Sequence, residues 1–426
     1  MTRTEYLETI EGQSQERIKR WIKTNYLVIQ QEPKSKTSIS QAEKIFFRQE
    51  VKRQLKERNR KVHTGDIILE IDFYTTKNNP PALHTLSKNY LDLLHKDIDE
   101  DKLGGLLFKD DGQIKILIAN YHLNIFGKQE PEIRITSYSL SSFIKDIELT
   151  DRIYTNKFDD ADSFMHRRFI QETQREESMF DTSDYWEDLR SLEKNKEKHL
   201  KQFGEQFYDL QKHFLVRQIQ EKYLKQNEIG IRDLTSIFQR RFSYNKRYSA
   251  DKHFQNIWNI TSGYIFLSSD FVGLGNAPTQ EGETRIFKDK LQEQLKAFKE
   301  KHKVLFPLLQ PINVTITFVP PKHNVIDLDN LARYIVPFVN EIFRPPATHR
   351  LAYDNKFLNQ LLKTEMQITQ RFPPHSITGY QLIHIPRKEE DPEAGRIDFI
   401  ITDGFGLKSN VWHLVDDVID KWEKRF

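Results

Sequence analysis

The sequence contains no cysteine. That excludes a disulfide scaffold, a thiolate zinc site, a cysteine-ligated iron–sulfur cluster and a cysteine nucleophile. No run approaches the roughly 18 apolar residues of a membrane-spanning helix, so no membrane partner is expected. The opening stretch, MTRTEYLETIEGQ, lacks the basic-then-apolar pattern of a secretory signal, and a cytoplasmic location is the expectation that follows. Charge of one sign is not in excess either: 65 Lys and Arg stand against 62 Asp and Glu, a formal net charge of +3. Partner preference therefore rests on how charge is distributed, because a near-neutral chain can still carry one basic face. What the chain does have is aromatic residues, 12% of the total with 29 Phe, which is too apolar for disorder. Its 426 residues fit two or three domains better than one core.

Three textures divide the chain. After an N-terminal helical extension, residues 1–24, a first block covers residues 25–145. It holds a helix expected over Ser40–Arg58, with Ile45, Phe46, Val51 and Leu55 as its apolar stripe. A strand is expected over Asp66–Tyr74, then a turn at Asn78-Asn79-Pro80-Pro81 and a helix from Leu86 to about Asp97. The strand IKILIANY and a further one over Glu132–Tyr138 close the block. Residues 146–258 are charge-dense, and the spacing of Leu189, Leu192, Leu200, Phe203, Phe207, Leu210, Phe214 and Tyr223 predicts one long helix over 187–226. From 259 to 387 the first texture returns: a helix over Phe287–Lys299, the strand NVTITFV, a helix over Asn330–Phe343 and a strand over Tyr380–Ile385. Residues 388–426 complete the chain with a strand and an amphipathic helix. The repeated order points to a duplicated domain and not to a solenoid.

In the second copy, Asp327 and Asp329 lie two residues apart at a helix start, and Asp354, beside Asn355, follows 25 residues after Asp329. Oxygen-bearing side chains gathered from a helix mouth and a hairpin suit a hard octahedral cation, Mg²⁺ or Mn²⁺. Such a cluster can generate a hydroxide and neutralise charge at a phosphodiester. In isolation, Asp327 also reads as an N-cap and Asp329 as a complement to the helix dipole. The same frame recurring upstream favours chemistry.

The pattern D-x-D-N-L-x-K-x-x-x-D-x-L, followed by D-D-x-Q-I-x-x-L, resembles the RusA family of Holliday-junction resolvases. The second copy matches with DLDNLARYIVPFV and YDNKFLNQLL, the first with HTLSKNYLDLL and FKDDGQIKIL. The resemblance covers residues 25–140 and 260–387. It implies an α/β (α+β) fold of two tandem mixed-sheet domains around a helical insert, and structure-selective, Mg²⁺-dependent cleavage of branched or single-strand-containing DNA. It carries metal ligation onto Asp327, Asp329, Asp354 and Asn355, and onto Asp110 and Asp111 in the first copy. Arg333 and Lys88 fall on the family's lysine, as groups that stabilise charge on the phosphate. Each copy departs in a different place: the first has Ala82 and His84 for the helix-mouth aspartates, the second has Arg333 for lysine and Asn355 for the second aspartate. If the family's homodimer is mimicked within one chain, Lys88 or Asp111 can approach the second copy's aspartates.

Arg240, Arg241, Phe242, Tyr244, Lys246 and Arg247 interleave cations with aromatics, a composition that suits phosphate contact and base stacking. Lys52 and Arg53 belong to a second basic run, which reads equally as a solvated helix face. The insert and the C-terminal helix are the candidate surfaces for a homodimer or a partner protein. A duplicated enzyme turned scaffold, holding DNA or a larger assembly without cutting, is the competing reading.

Overall fold

The computed structural model describes residues 2–77, 80–95, 106–123, 130–159, 183–226, 266–270, 284–301, 306, 308–309, 312–323, 326–343, 377–387, 389, 393, 395–403, 419–421 and 424. The fold is α/β. The elements are α1 (Arg3–Glu8), α2 (Ile10–Trp21), β1 (Asn25–Ile29), α3 (Gln41–Glu57), β2 (Ile67–Thr75), α4 (Leu83–His95), β3 (Ile114–Leu123), β4 (Glu132–Ser139) and α5 (Leu140–Asp159). They continue as α6 (Ser183–Lys194), α7 (Lys196–Phe203), α8 (Glu205–Gln226), β5 (Phe266–Asp270), α9 (Thr284–Lys301), β6 (Ile312–Val319), α10 (Leu328–Phe343), β7 (Ile377–His384) and β8 (Arg396–Asp403).

Among the described residues, eight strands form one mixed sheet in the order β1-β4-β2-β3-β7-β6-β8-β5. The order reads the same from either edge once β1 to β4 are matched with β5 to β8. In each half the second and third strands run parallel and the others antiparallel. The register even breaks at the same place: Ile67 pairs with Ile114 and Ile68 with Ile116, while Ile312 pairs with Ile377 and Asn313 with Gly379. The halves meet where β3 and β7 pair antiparallel, from Ile116 opposite Ile383 to Asn120 opposite Gly379. There is thus one sheet, not two.

Its strands are buried because their faces are covered by helices. β2, IILEIDFYT, and β6, INVTITFV, therefore carry near-continuous runs of buried residues instead of clean alternation. On one face a single apolar cluster crosses the joint, taking Phe47 and Val51 from α3, Leu86 and Tyr90 from α4, Phe287 and Leu291 from α9, and Leu331 and Ile335 from α10. Helices α4 and α10 pack against each other over the central seam. The other face holds a smaller cluster, in which Phe143, Ile147 and Ile153 of α5 meet Ile68, Ile116, Ile383 and Ile419. Ile419 therefore packs on the sheet, and its neighbour Asp420 pairs with Arg17 of α2 at 3.3 Å.

Several expectations need correction. The stripe of α3 is Phe47, Val51, Gln54 and Leu55, while Ile45 and Phe46 are exposed. The single helix over 187–226 is three helices. It breaks at Asn195 and again at Gly204, whose φ of +83° no helix accommodates, and Phe203 and Phe214 face solvent. The boundary at 145/146 falls inside α5, and β8 lies beyond the boundary at 387 although it is the second half's counterpart of β4. No helix among the described residues is long and apolar enough to cross a membrane.

Candidate metal centre

The sequence places a carboxylate at the mouth of α10 because the chain must stop being extended there. Ile326 and Leu328 turn inward, Asp327 stands between them, and its carbonyl accepts the first helical hydrogen bond from Leu331 N–H at 2.9 Å. Asp329 follows in the first turn and is buried, with Oδ1 accepting the Asn330 N–H at 2.7 Å. The partial positive charge of a helix N-terminus favours both carboxylates.

Opposite them, from the other half of the sheet, comes the loop before β3. Asp110 caps a short 3₁₀ turn over Asp111–Gln113 by accepting Gly112 N–H at 2.8 Å. Gln113 Oε1 accepts the N–H groups of Lys109 and Asp110, while its Nε2 donates to the carbonyls of His63 and Gly65. The turn is tied down at both ends and carries Asp111 toward α10. A Cβ placed on Gly112 would lie 3.9 Å from Asp327 Oδ1, which measures how closely the two halves approach. Helix α4 supplies the cation: Lys88 Nζ donates to Asp329 Oδ2 and lies 3.4 Å from Asp92 Oδ1.

The electrostatics follow from this crowding. Burial and the charge of Asp329 push the Asp111 carboxyl up to about 6, against the opposing influence of His95 and Lys88. Burial, then Asp329 and Asp110, raise Asp327 above the ordinary carboxylate value. For Lys88, burial works against the ammonium, but the hydrogen bond to Asp329 and the charges of Asp329, Asp92 and Asp111 outweigh it and hold the pKa above normal. Among the described residues Asp111 Oδ1 is buried without a hydrogen-bond partner, with His95 Nδ1 4.0 Å away.

Five sequence-predicted residues are brought together: Lys88, Asp110 and Asp111 from the first half, Asp327 and Asp329 from the second. Arg333 is exposed, one helical turn beyond Asp329. Asp354, Asn355 and the segment holding Arg240, Arg241, Phe242, Tyr244, Lys246 and Arg247 lie outside the described residues. Lys52 and Arg53 sit on α3, where Arg53 is ion-paired to Glu50 and Glu57.

Ile114 and Ile377 hold the same place in the two halves, as the first residues of β3 and β7. Two further groups close to the cluster, Lys115 and His384, gave no signal in the sequence, since each is one polar residue at a strand end.

Negative charge is crowded here: the Asp111 and Asp327 carboxyls are both raised, and a hard divalent cation is the kind of ion that would relieve such crowding. Among the described residues no three such side chains stand as a ready coordination shell, and the positive charge now against Asp329 is that of Lys88. Compared with protein-family models, with curated proteins and with solved structures, the chain has no match in any of the three.

Proposed function

We propose that this chain is a metal-dependent endonuclease of the kind its sequence resembles, acting on branched or single-strand-containing DNA through one composite site at the joint of its two halves. The observation that carries this reading is the complementarity of the losses. The first copy lacks the helix-mouth aspartates but keeps the lysine and the acidic pair, and the second does the reverse. The kept parts are the ones that meet: Lys88 and Asp111 against Asp327 and Asp329.

In this reading Asp111, Asp327 and Asp329 would hold Mg²⁺ or Mn²⁺, with Asp110 orienting the loop. When bound, the ion would supply an activated water and neutralise charge on the scissile phosphate. The chain's own residues do the rest. Asn330 N–H fixes one oxygen of Asp329, and Lys88 the other. Compensation of Asp329 by a bound cation would free the Lys88 ammonium for a phosphate oxygen, the role the sequence also offered to Arg333. Site occupancy and proton loss from Asp111 are linked, so affinity rises with pH.

A second reading, the non-catalytic scaffold, is favoured by one observation: Lys88 already compensates Asp329, so the cluster is stable without metal. Labelled four-way junction, duplex and single-stranded DNA incubated with Mg²⁺, Mn²⁺ or EDTA separate the two, with Asp327→Asn/Asp329→Asn as control. Metal-dependent cutting lost in the double variant is the result expected. Binding without cutting under every metal would leave the scaffold.

A further inference from the structure

His384 is the last residue of β7, paired across the ladder with Phe318 at the end of β6, and the two rings lie 5.8 Å apart. Both imidazole nitrogens are buried, and neither has a hydrogen-bond partner among the described residues. A neutral imidazole carries one N–H donor and one acceptor, and stranding both away from water is unfavourable unless a ligand satisfies them. The position is not arbitrary. Because β3 and β7 run antiparallel, the end of β7 lies beside the start of β3, where the acidic turn is. Lys115, four residues after Asp111, directly precedes Ile116, whose ladder partner Ile383 directly precedes His384, and its charge acts on both Asp327 and His384. Burial, reinforced by Lys115, pushes the imidazole down to about 4, so the ring stays neutral.

One end of the central seam therefore presents carboxylates, an ammonium and a half-buried imidazole whose nitrogens are covered. The carboxylates suit a cation. The ammonium and the N–H suit an anion with oxygen acceptors. We propose that His384 and Lys115 form a phosphate subsite beside the acidic cluster, the imidazole donating a hydrogen bond and the ammonium supplying countercharge to the nucleic-acid phosphate next to the one that is cut. This rests on the nuclease reading above and adds to it the place where the neighbouring backbone is gripped.

The test uses the full chain and a four-way junction whose cut site has been mapped, with single methylphosphonates at the phosphates flanking it. His384→Phe, His384→Gln and Lys115→Met are compared with the parent chain. His384→Phe is expected to melt at the parental temperature or above, since it removes a stranded polar group, while cutting falls about 10- to 100-fold. His384→Gln, which keeps an N–H, recovers part of that loss. A methylphosphonate at the gripped position slows the parent chain similarly and slows His384→Phe and Lys115→Met little further. Parental cutting and binding in these variants, or losses that add in full to that of the methylphosphonate, would overturn the subsite. Should His384→Phe fold poorly, the other two variants decide the same question. A parent chain that binds without cutting sinks the nuclease reading alone. Binding then decides the subsite: weaker, less salt-dependent binding by Lys115→Met upholds it, and unchanged binding removes it. No binding at all removes both.

Discussion

Lys88 and Asp329 stand 241 residues apart in the chain and are hydrogen-bonded across the joint between the two halves of the sheet. Asp329 is nearly fully buried and Lys88 mostly so. Taking away the ammonium would leave a carboxylate uncompensated beside Asp111 and Asp327. Lys88→Met is expected to lower stability in EDTA by about 3 kcal/mol, the order found when one partner of a buried pair is removed. Lys88→Met/Asp329→Asn should recover much of this in urea unfolding. Additive losses would show that the two side chains do not act as a pair.

The composite site and the trio read from the second copy alone make different demands. Asp111→Asn should lower metal-dependent cutting at least about 100-fold, the scale on which charge stabilisation acts in such sites. Asp354→Asn should cost far less, because the composite reading takes its third carboxylate from Asp111. Equal activity of Asp111→Asn and the parent chain would return the site to the second half.

In the absence of metal, stability should depend on pH through Asp111. Its carboxyl titrates near 6 in the folded chain against 3.8 when unperturbed. Between those values the folded chain holds a proton that the unfolded chain has released. Stability therefore falls as pH rises through the window and levels off above about 6, by roughly 3 kcal/mol at most. Thermal melting from pH 4 to 8 in EDTA reads this, and Asp111→Asn should flatten it. Millimolar Mg²⁺ should raise the melting temperature above pH 6 in the parent chain and not in Asp329→Asn.

Gly379 sits at the seam, opposite Asn120 on β3 and Asn313 on β6. A Cβ there would come within 1.9 Å of Asn313 Oδ1 and 2.7 Å of Asn120 Oδ1. Gly379→Ala should cost about 1–3 kcal/mol in urea unfolding, an overpacking effect. A neutral result would mean that both amides can turn aside.

Much of the fold is written locally. The stripe Leu86, Tyr90, Leu93 and Leu94 fixes α4, the run INVTITFV fixes β6, and Ser40 with Glu43 sets the start of α3 by a reciprocal capping box. Phase within a helix is less secure: Phe46 and Phe47 are adjacent and equally apolar, and only the sheet beneath decides that Phe47 turns inward. The site was half legible. Motif spacing finds Asp327, Asp329, Lys88 and the acidic pair, and the resemblance to a homodimer already allows Lys88 or Asp111 to reach the second copy's aspartates. Which loop faces which helix is set by the antiparallel meeting of β3 and β7. His384 and Lys115 become visible only when the strands are laid side by side.

Joining two unequal halves through the β3–β7 seam has a consequence of its own. A pair of identical chains offers a substrate two interchangeable ways to sit. Here one end of the seam carries Asp111, Asp327 and Asp329, and the helix mouth at the other end carries Ala82 and His84 in place of the aspartates. Whatever lies along this sheet meets a front and a back, so the order in which the chain was joined fixes a sense of direction that no symmetric assembly of the same parts possesses.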